Sequence, residues 1–130
     1  MKNFTLTLYF LFALVVSAVA QNTPSNPALE KASSDITRLM VESMSLNENE
    51  YIKLKNLNSE RLVKAAEAEK MYSDDAEMRE VRLREIEDDF EEKLFKMLNS
   101  RQVTAYAEFK TKPEANFLSL VQSASAAPKK

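Results

Sequence analysis

Two stretches, Leu46-Asn47-Glu48-Asn49-Glu50 and Leu98-Asn99-Ser100-Arg101-Gln102, repeat one pattern 52 positions apart, and each precedes a run with helical apolar spacing. Asn at the N-cap accepts a hydrogen bond from the N3 backbone N–H, and Glu50 or Gln102 at N3 accepts in return from the N-cap N–H. Leu46 and Leu98 stand at N′, five residues before Tyr51 and Val103 at N4, the spacing of a hydrophobic staple. Two complete helix starts specify where helices meet, and they define an all-α chain.

Outward from these starts, the apolar residues group into helices. Asn26 and Pro27 provide an N-cap and N1 for a first helix reaching about Ser45, with Leu29, Ala32, Ile36, Leu39, Met40 and Met44 on one stripe. A second helix runs from Glu48 to about Met71, roughly 36 Å at ~1.5 Å per residue. Its stripe of Tyr51, Leu54, Leu57, Ala65, Ala68 and Tyr72 contains Asn58 and Arg61. Ser73, followed by Asp74 and Asp75, reads as the next N-cap and acidic first turn. A third helix to about Met97 carries Leu83, Ile86, Phe90, Leu94 and Met97, supported by the pairs Asp75/Arg79, Glu80/Arg84, Asp89/Lys93 and Glu92/Lys96. Asn99 opens a short fourth helix, residues 100 to about 110. Pro113 ends it, and 111–130 is expected to be a mostly disordered tail. Its apolar cluster of Phe117, Leu118, Leu120 and Val121 is either a docked final turn or a mobile hydrophobic end.

The first 20 residues read as an export signal: Lys2, an apolar core from Leu8 through Val16, and the small-x-small site Ala18-Val19-Ala20. Its removal leaves 110 of the 130 residues, moves the formal charge from −2 to −3, and leaves no membrane anchor; the alternative is an uncleaved anchor, for which the apolar stretch falls short of the ~20 residues a spanning helix needs. Residues 21–26 form a loose leader, and 27–110 form the helical domain. A core of this size is modest, so pairing with a second copy is expected to add stability.

The chain has no Gly, Cys or His. Without Gly there is no phosphate-cradling loop, and without His or Cys there is no Ser-His or Cys-His nucleophile pair and no ordinary zinc or copper ligand set. The residues therefore point away from an enzyme, with no cofactor expected, and the slightly acidic balance gives no basis for nucleic-acid binding. The acidic run Glu85, Glu87, Asp88, Asp89, Glu91 and Glu92 reads as a solvated helix face. Ile52, Val63, Met78, Val81 and Phe95 fall off the main stripes, which suits a second layer of packing, a dimer seam or an exposed apolar contact surface. Arg61, a charge inside an apolar stripe, is either paired with an acid of a neighbouring helix or a contact residue.

In order, spacing and helical pattern, the two starter motifs resemble the Leu-Thr-x-x-Gln signature of the Spy/CpxP family of exported helical proteins, with Asn for Thr in both copies and Glu50 for Gln in the first. The resemblance spans roughly residues 30–110. It implies a bent, hairpin-like four-helix protomer with long second and third helices, paired as an antiparallel homodimer in the periplasm. It also implies an ATP-independent holding chaperone for unfolded proteins, and the residues singled out by their places relative to the stripes, Ile52, Arg61, Val63, Met78, Val81 and Phe95, are the candidate client or partner contacts. The alternative within the same resemblance is a stress-sensing adaptor that binds a folded partner such as an envelope sensor domain.

Overall fold

A computed structural model describes residues 26–125, with side chains described through Gln122. The expected export signal, residues 21–25 of the leader and residues 126–130 lie outside the described residues. Five α-helices follow one another: α1 (Pro27–Met44), α2 (Glu48–Met71), α3 (Ala76–Met97), α4 (Ser100–Phe109) and α5 (Phe117–Ser125), with a short 3₁₀ turn at Pro113–Ala115 before the last. The fourth-helix count is thus exceeded by one: the apolar cluster of the expected tail is a docked helix. Asn116 starts it, its Oδ1 accepting from the Ser119 N–H at 3.1 Å, and Val121 becomes fully buried.

Each helix start follows from a local cap. Asn26 accepts from the Ala28 N–H at 2.9 Å with Pro27 at the first turn. At α2, the Glu50 N–H donates to Asn47 Oδ1 (2.9 Å) and the Asn47 N–H donates to Glu50 Oε1 (3.2 Å). At α4, the Gln102 N–H donates to Asn99 Oδ1 (2.9 Å) and the Asn99 N–H donates to Gln102 Oε1 (3.0 Å). Both capping boxes are complete. The two are also joined, because Gln102 Nε2 donates to Glu50 Oε2 at 3.1 Å. The motif repeat thereby becomes a tertiary contact between the starts of α2 and α4.

The α2–α3 turn corrects one expectation. The N-cap of α3 is Asp75, whose Oδ1 accepts from the Met78 N–H at 3.1 Å, and Ser73 lies in the turn before it. Arg79 does not pair with Asp75. It reaches back to donate to the Tyr72 and Ser73 carbonyls (3.1 and 3.2 Å), tying the first turn of α3 to the α2–α3 turn. At the α1–α2 corner Ser45 takes φ 54°, a left-handed position usually given to Gly. The Leu46 N–H donates to the Val41 carbonyl at 3.1 Å, closing the corner.

Helix α2 packs against α1, α3 and α5, while α1 also receives α4. Two apolar cores result. One gathers Leu29, Leu62, Ala65, Ala68, Leu83, Ile86 and Val121. The other gathers Ile36, Met40, Met44, Leu54, Phe90, Leu94, Tyr106 and Phe109. Leu46 and Leu98, the N′ residues of the two motifs, pack against the second core.

A buried polar layer crosses the α1–α2 seam among these apolar groups. The Ser33 and Ser59 hydroxyls lie 2.7 Å apart, Asn58 Nδ2 donates to Thr37 Oγ1 at 2.9 Å, and Thr37 Oγ1 donates to the Ser33 carbonyl at 2.6 Å. Periodicity placed Leu39 and Tyr51 on the packing stripes, but Leu39 is exposed and Tyr51 half-buried, while Leu62 and Ser59 are buried. Contact with α1 on one flank of α2 and α3 on the other widens its buried arc beyond a single stripe.

Candidate functional site: the cleft between α3 and α5

Because α5 docks on α1 and α2, a gap stays open between it and the first half of α3. This cleft has a volume of about 620 Å³. Leu83, Phe117 and Leu118 supply its apolar surface, and Arg79, Glu80 and Arg84 from successive turns of α3 bring charges of both signs to it. Leu118 is 45% exposed, a large apolar side chain held beside an open volume. The arrangement suits weak binding of mixed apolar and charged chain segments.

On the far side of Phe117 lies a second recess of about 310 Å³, and Glu87 and Phe117 border both. Its wall is the Arg61–Glu87 pair. Arg61 Nη1 donates to both Glu87 oxygens, at 2.7 and 3.1 Å. The guanidinium carbon sits 3.8 Å from the Phe90 ring centroid and 4.7 Å from that of Phe117. Ring faces replace part of the lost hydration of a cation through their quadrupoles.

The pair is nevertheless costly. Burial pulls the Arg61 guanidinium below its usual value, against the opposing pull of Glu87, and burial pushes the Glu87 carboxyl up, against the opposing pull of Arg61. Arg61 Nε is buried with no hydrogen-bond partner. Along the same recess, Tyr106 Oη donates to Glu91 Oε2 at 2.9 Å, and Lys110 Nζ also donates to that carboxylate. Burial pushes the Tyr106 hydroxyl up, with Glu91 adding to the shift against the pull of Arg61, so Tyr106 stays a neutral donor.

The six contact candidates do not assemble into one surface. Arg61 is buried, which takes it out of reach of a partner and realises the ion-pair alternative. Val63 is half-buried against the first core. Ile52 (52% exposed) lies in the first turn of α2. Phe95 is partly exposed and meets Tyr106 edge-on at 5.8 Å. Met78 and Val81, three positions apart, share the outward face of α3, opposite its buried stripe. About 21 Å of helix, at ~1.5 Å per residue, separates Val81 from Phe95. None of the six lines the α3–α5 cleft.

The cleft residues escaped sequence reasoning because Leu83 reads as ordinary core and Arg79, Glu80 and Arg84 as solvated surface. Only the docked position of α5 joins them. The available signal was the Phe117–Val121 cluster, too apolar for a free tail.

The acidic run of α3 spreads around the helix. Glu87 turns to Arg61, Glu91 to Tyr106 and Lys110, and Asp89 to Lys93. Among the described residues no group of acidic side chains converges to hold a metal ion, and no helix is long and apolar enough to cross a membrane. No family model matches the sequence, and no curated protein or solved structure matches the chain.

Proposed function

We propose that this chain is a periplasmic, ATP-independent holding chaperone that binds unfolded or misfolded proteins through weak apolar and charged contacts, acting as a homodimer. The observation that carries the reading is the α3–α5 cleft, where Leu83, Phe117 and Leu118 stand beside Arg79, Glu80 and Arg84. Unfolded segments expose apolar side chains interspersed with charge, and such a lining meets both without demanding one sequence. Met78 and Val81 offer a second, smaller apolar patch on the outer face of α3. The resemblance of the two capping boxes to the Spy/CpxP signature points the same way.

Light scattering of chemically unfolded clients tests the reading. Near-stoichiometric chain is expected to suppress aggregation of several unrelated clients, and Leu118→Asp or Arg84→Glu is expected to weaken suppression while helicity is retained. Loss on Val81→Asp instead moves the client surface to the outer face of α3. No suppression at several-fold excess overturns the proposal and favours an adaptor that binds one folded partner, such as an envelope sensor domain, with defined stoichiometry.

A further inference from the structure

Helix α5 is short and apolar, and it docks on α1 and α2. Its nine residues fall below the length at which helices persist alone in water, roughly 12–15 residues. Among its described side chains Val121 alone is fully buried, in the core formed by Leu29, Leu62 and Leu83, while Phe117 and Leu120 are half-buried. The connection before it, residues 110–116, is a turn and one 3₁₀ segment rather than a continuation of α4. Phe117, Leu120 and Val121 stand at i, i+3 and i+4, the spacing by which a separate amphipathic helix anchors in a groove. On the receiving side, Phe117 covers Arg61, and the α3–α5 cleft leaves the groove wider than α5 fills.

We propose that α5 is an internal ligand. It occupies a groove formed by α1, α2 and α3 that accepts, in its place, an amphipathic segment of another protein with an aromatic residue at i and aliphatic residues at i+3 and i+4, its charged residues facing Arg79, Glu80 and Arg84 at the rim. Segments of low local stability open without global unfolding, and a competing segment that binds only the open state increases its population. The inference rests on the holding function proposed above and adds the segment class that is held and the contact that restrains it.

The natural absence of Cys makes the test direct. Two single-thiol variants of the full chain, Val121→Cys in α5 and Leu94→Cys in the second core, are labelled with a maleimide under native conditions. Val121→Cys is expected to react at least ~100-fold faster than Leu94→Cys, reflecting local opening. A synthetic peptide of residues 113–125, added at about 1 mM, is expected to accelerate Val121→Cys labelling at least ~3-fold by mass action, while a peptide carrying Phe117→Ser and Val121→Asp has no effect.

Equal labelling rates for the two thiols, or no acceleration by the peptide, overturn the inference. Binding of the fluorescent peptide to a chain ending at Lys112 that retains its helicity supports it, and absence of binding to that folded chain overturns it. If the shortened chain does not fold, the two labelling rates decide. A chain that suppresses client aggregation but labels Val121→Cys no faster than Leu94→Cys keeps the holding function and loses this inference.

Discussion

Gln102 donates its side-chain amide to Glu50 across 3.1 Å, and in doing so it ties the N3 residue of one capping box to the N3 residue of the other. Each side chain already uses one oxygen to accept from its own N-cap N–H. Glu50 has a second oxygen free to accept, and Gln102 has an amide free to donate. A glutamine at both positions would turn two donors toward each other, so the carboxylate at position 50 makes the junction complementary.

Glu50→Gln is therefore expected to destabilise the chain even though glutamine preserves the cap. Removing a part-buried, charge-assisted hydrogen bond of this kind costs about 1 kcal/mol. Gln102→Glu is expected to cost at least as much by facing two carboxylates. The exchange Glu50→Gln with Gln102→Glu restores one donor and one acceptor and recovers most of the loss. Urea denaturation of the four proteins in a double-mutant cycle reads the coupling directly.

Arg61 and Glu87 make the opposite kind of contact, a pair held at the expense of desolvation. Arg61→Met leaves Glu87 without its cation and is expected to destabilise the native state by about 3 kcal/mol at neutral pH. Replacing both, Arg61→Met with Glu87→Leu, is expected to match or exceed the wild-type midpoint, since an apolar replacement of a buried pair is commonly neutral or stabilising. A double variant less stable than Arg61→Met would show that the pair stabilises the fold outright.

Two carboxylates respond to acid in opposite directions. Glu87 is raised from 4.5 by burial, so its contribution to stability is full below that unfolded value and is lost as pH rises through its higher folded value. Glu60 is lowered from 4.5 by its hydrogen bond to Lys64, against the effect of burial and with help from Lys93, so its contribution is full above the unfolded value and is lost as pH falls through the lowered one. Thermal melts across this range should show the stability gap between wild type and Glu60→Gln shrinking on acidification. The gap between wild type and Arg61→Met should also shrink on acidification, because protonating Glu87 removes the unpaired charge.

Ser45 holds φ 54° in a chain with no glycine. Ser45→Gly is expected to raise the melting temperature by removing a Cβ penalty of about 1 kcal/mol, partly offset by greater freedom of the unfolded chain. Ser45→Val is expected to lower it. Differential scanning calorimetry on the three proteins distinguishes this backbone effect from any lost side-chain contact.

Helix starts were legible because capping is local: Asn47 with Glu50, and Asn99 with Gln102, act over three residues and need no other part of the chain. The α2–α3 turn was less so, since Ser73 and Asp75 are both competent caps and the choice fell to Asp75, with Arg79 folding back on the turn. The six candidate contacts lie apart in the fold. A helical wheel shows which residues leave one stripe, but it does not show that a second neighbour covers Val63 or that an acid 26 positions away meets Arg61.

The order of the first four helices and their approximate boundaries thus came from residue types and short spacings alone. Long-range packing decided the rest: the junction of the two capping boxes, the partner of Arg61, the docking of Val121 and the cleft that docking leaves open. The reason is energetic. Caps and periodicity act within one or two helical turns, whereas the burial of Arg61 and Val121 depends on apolar surfaces brought together from α1, α2, α3 and α5, which exist only once those helices have packed.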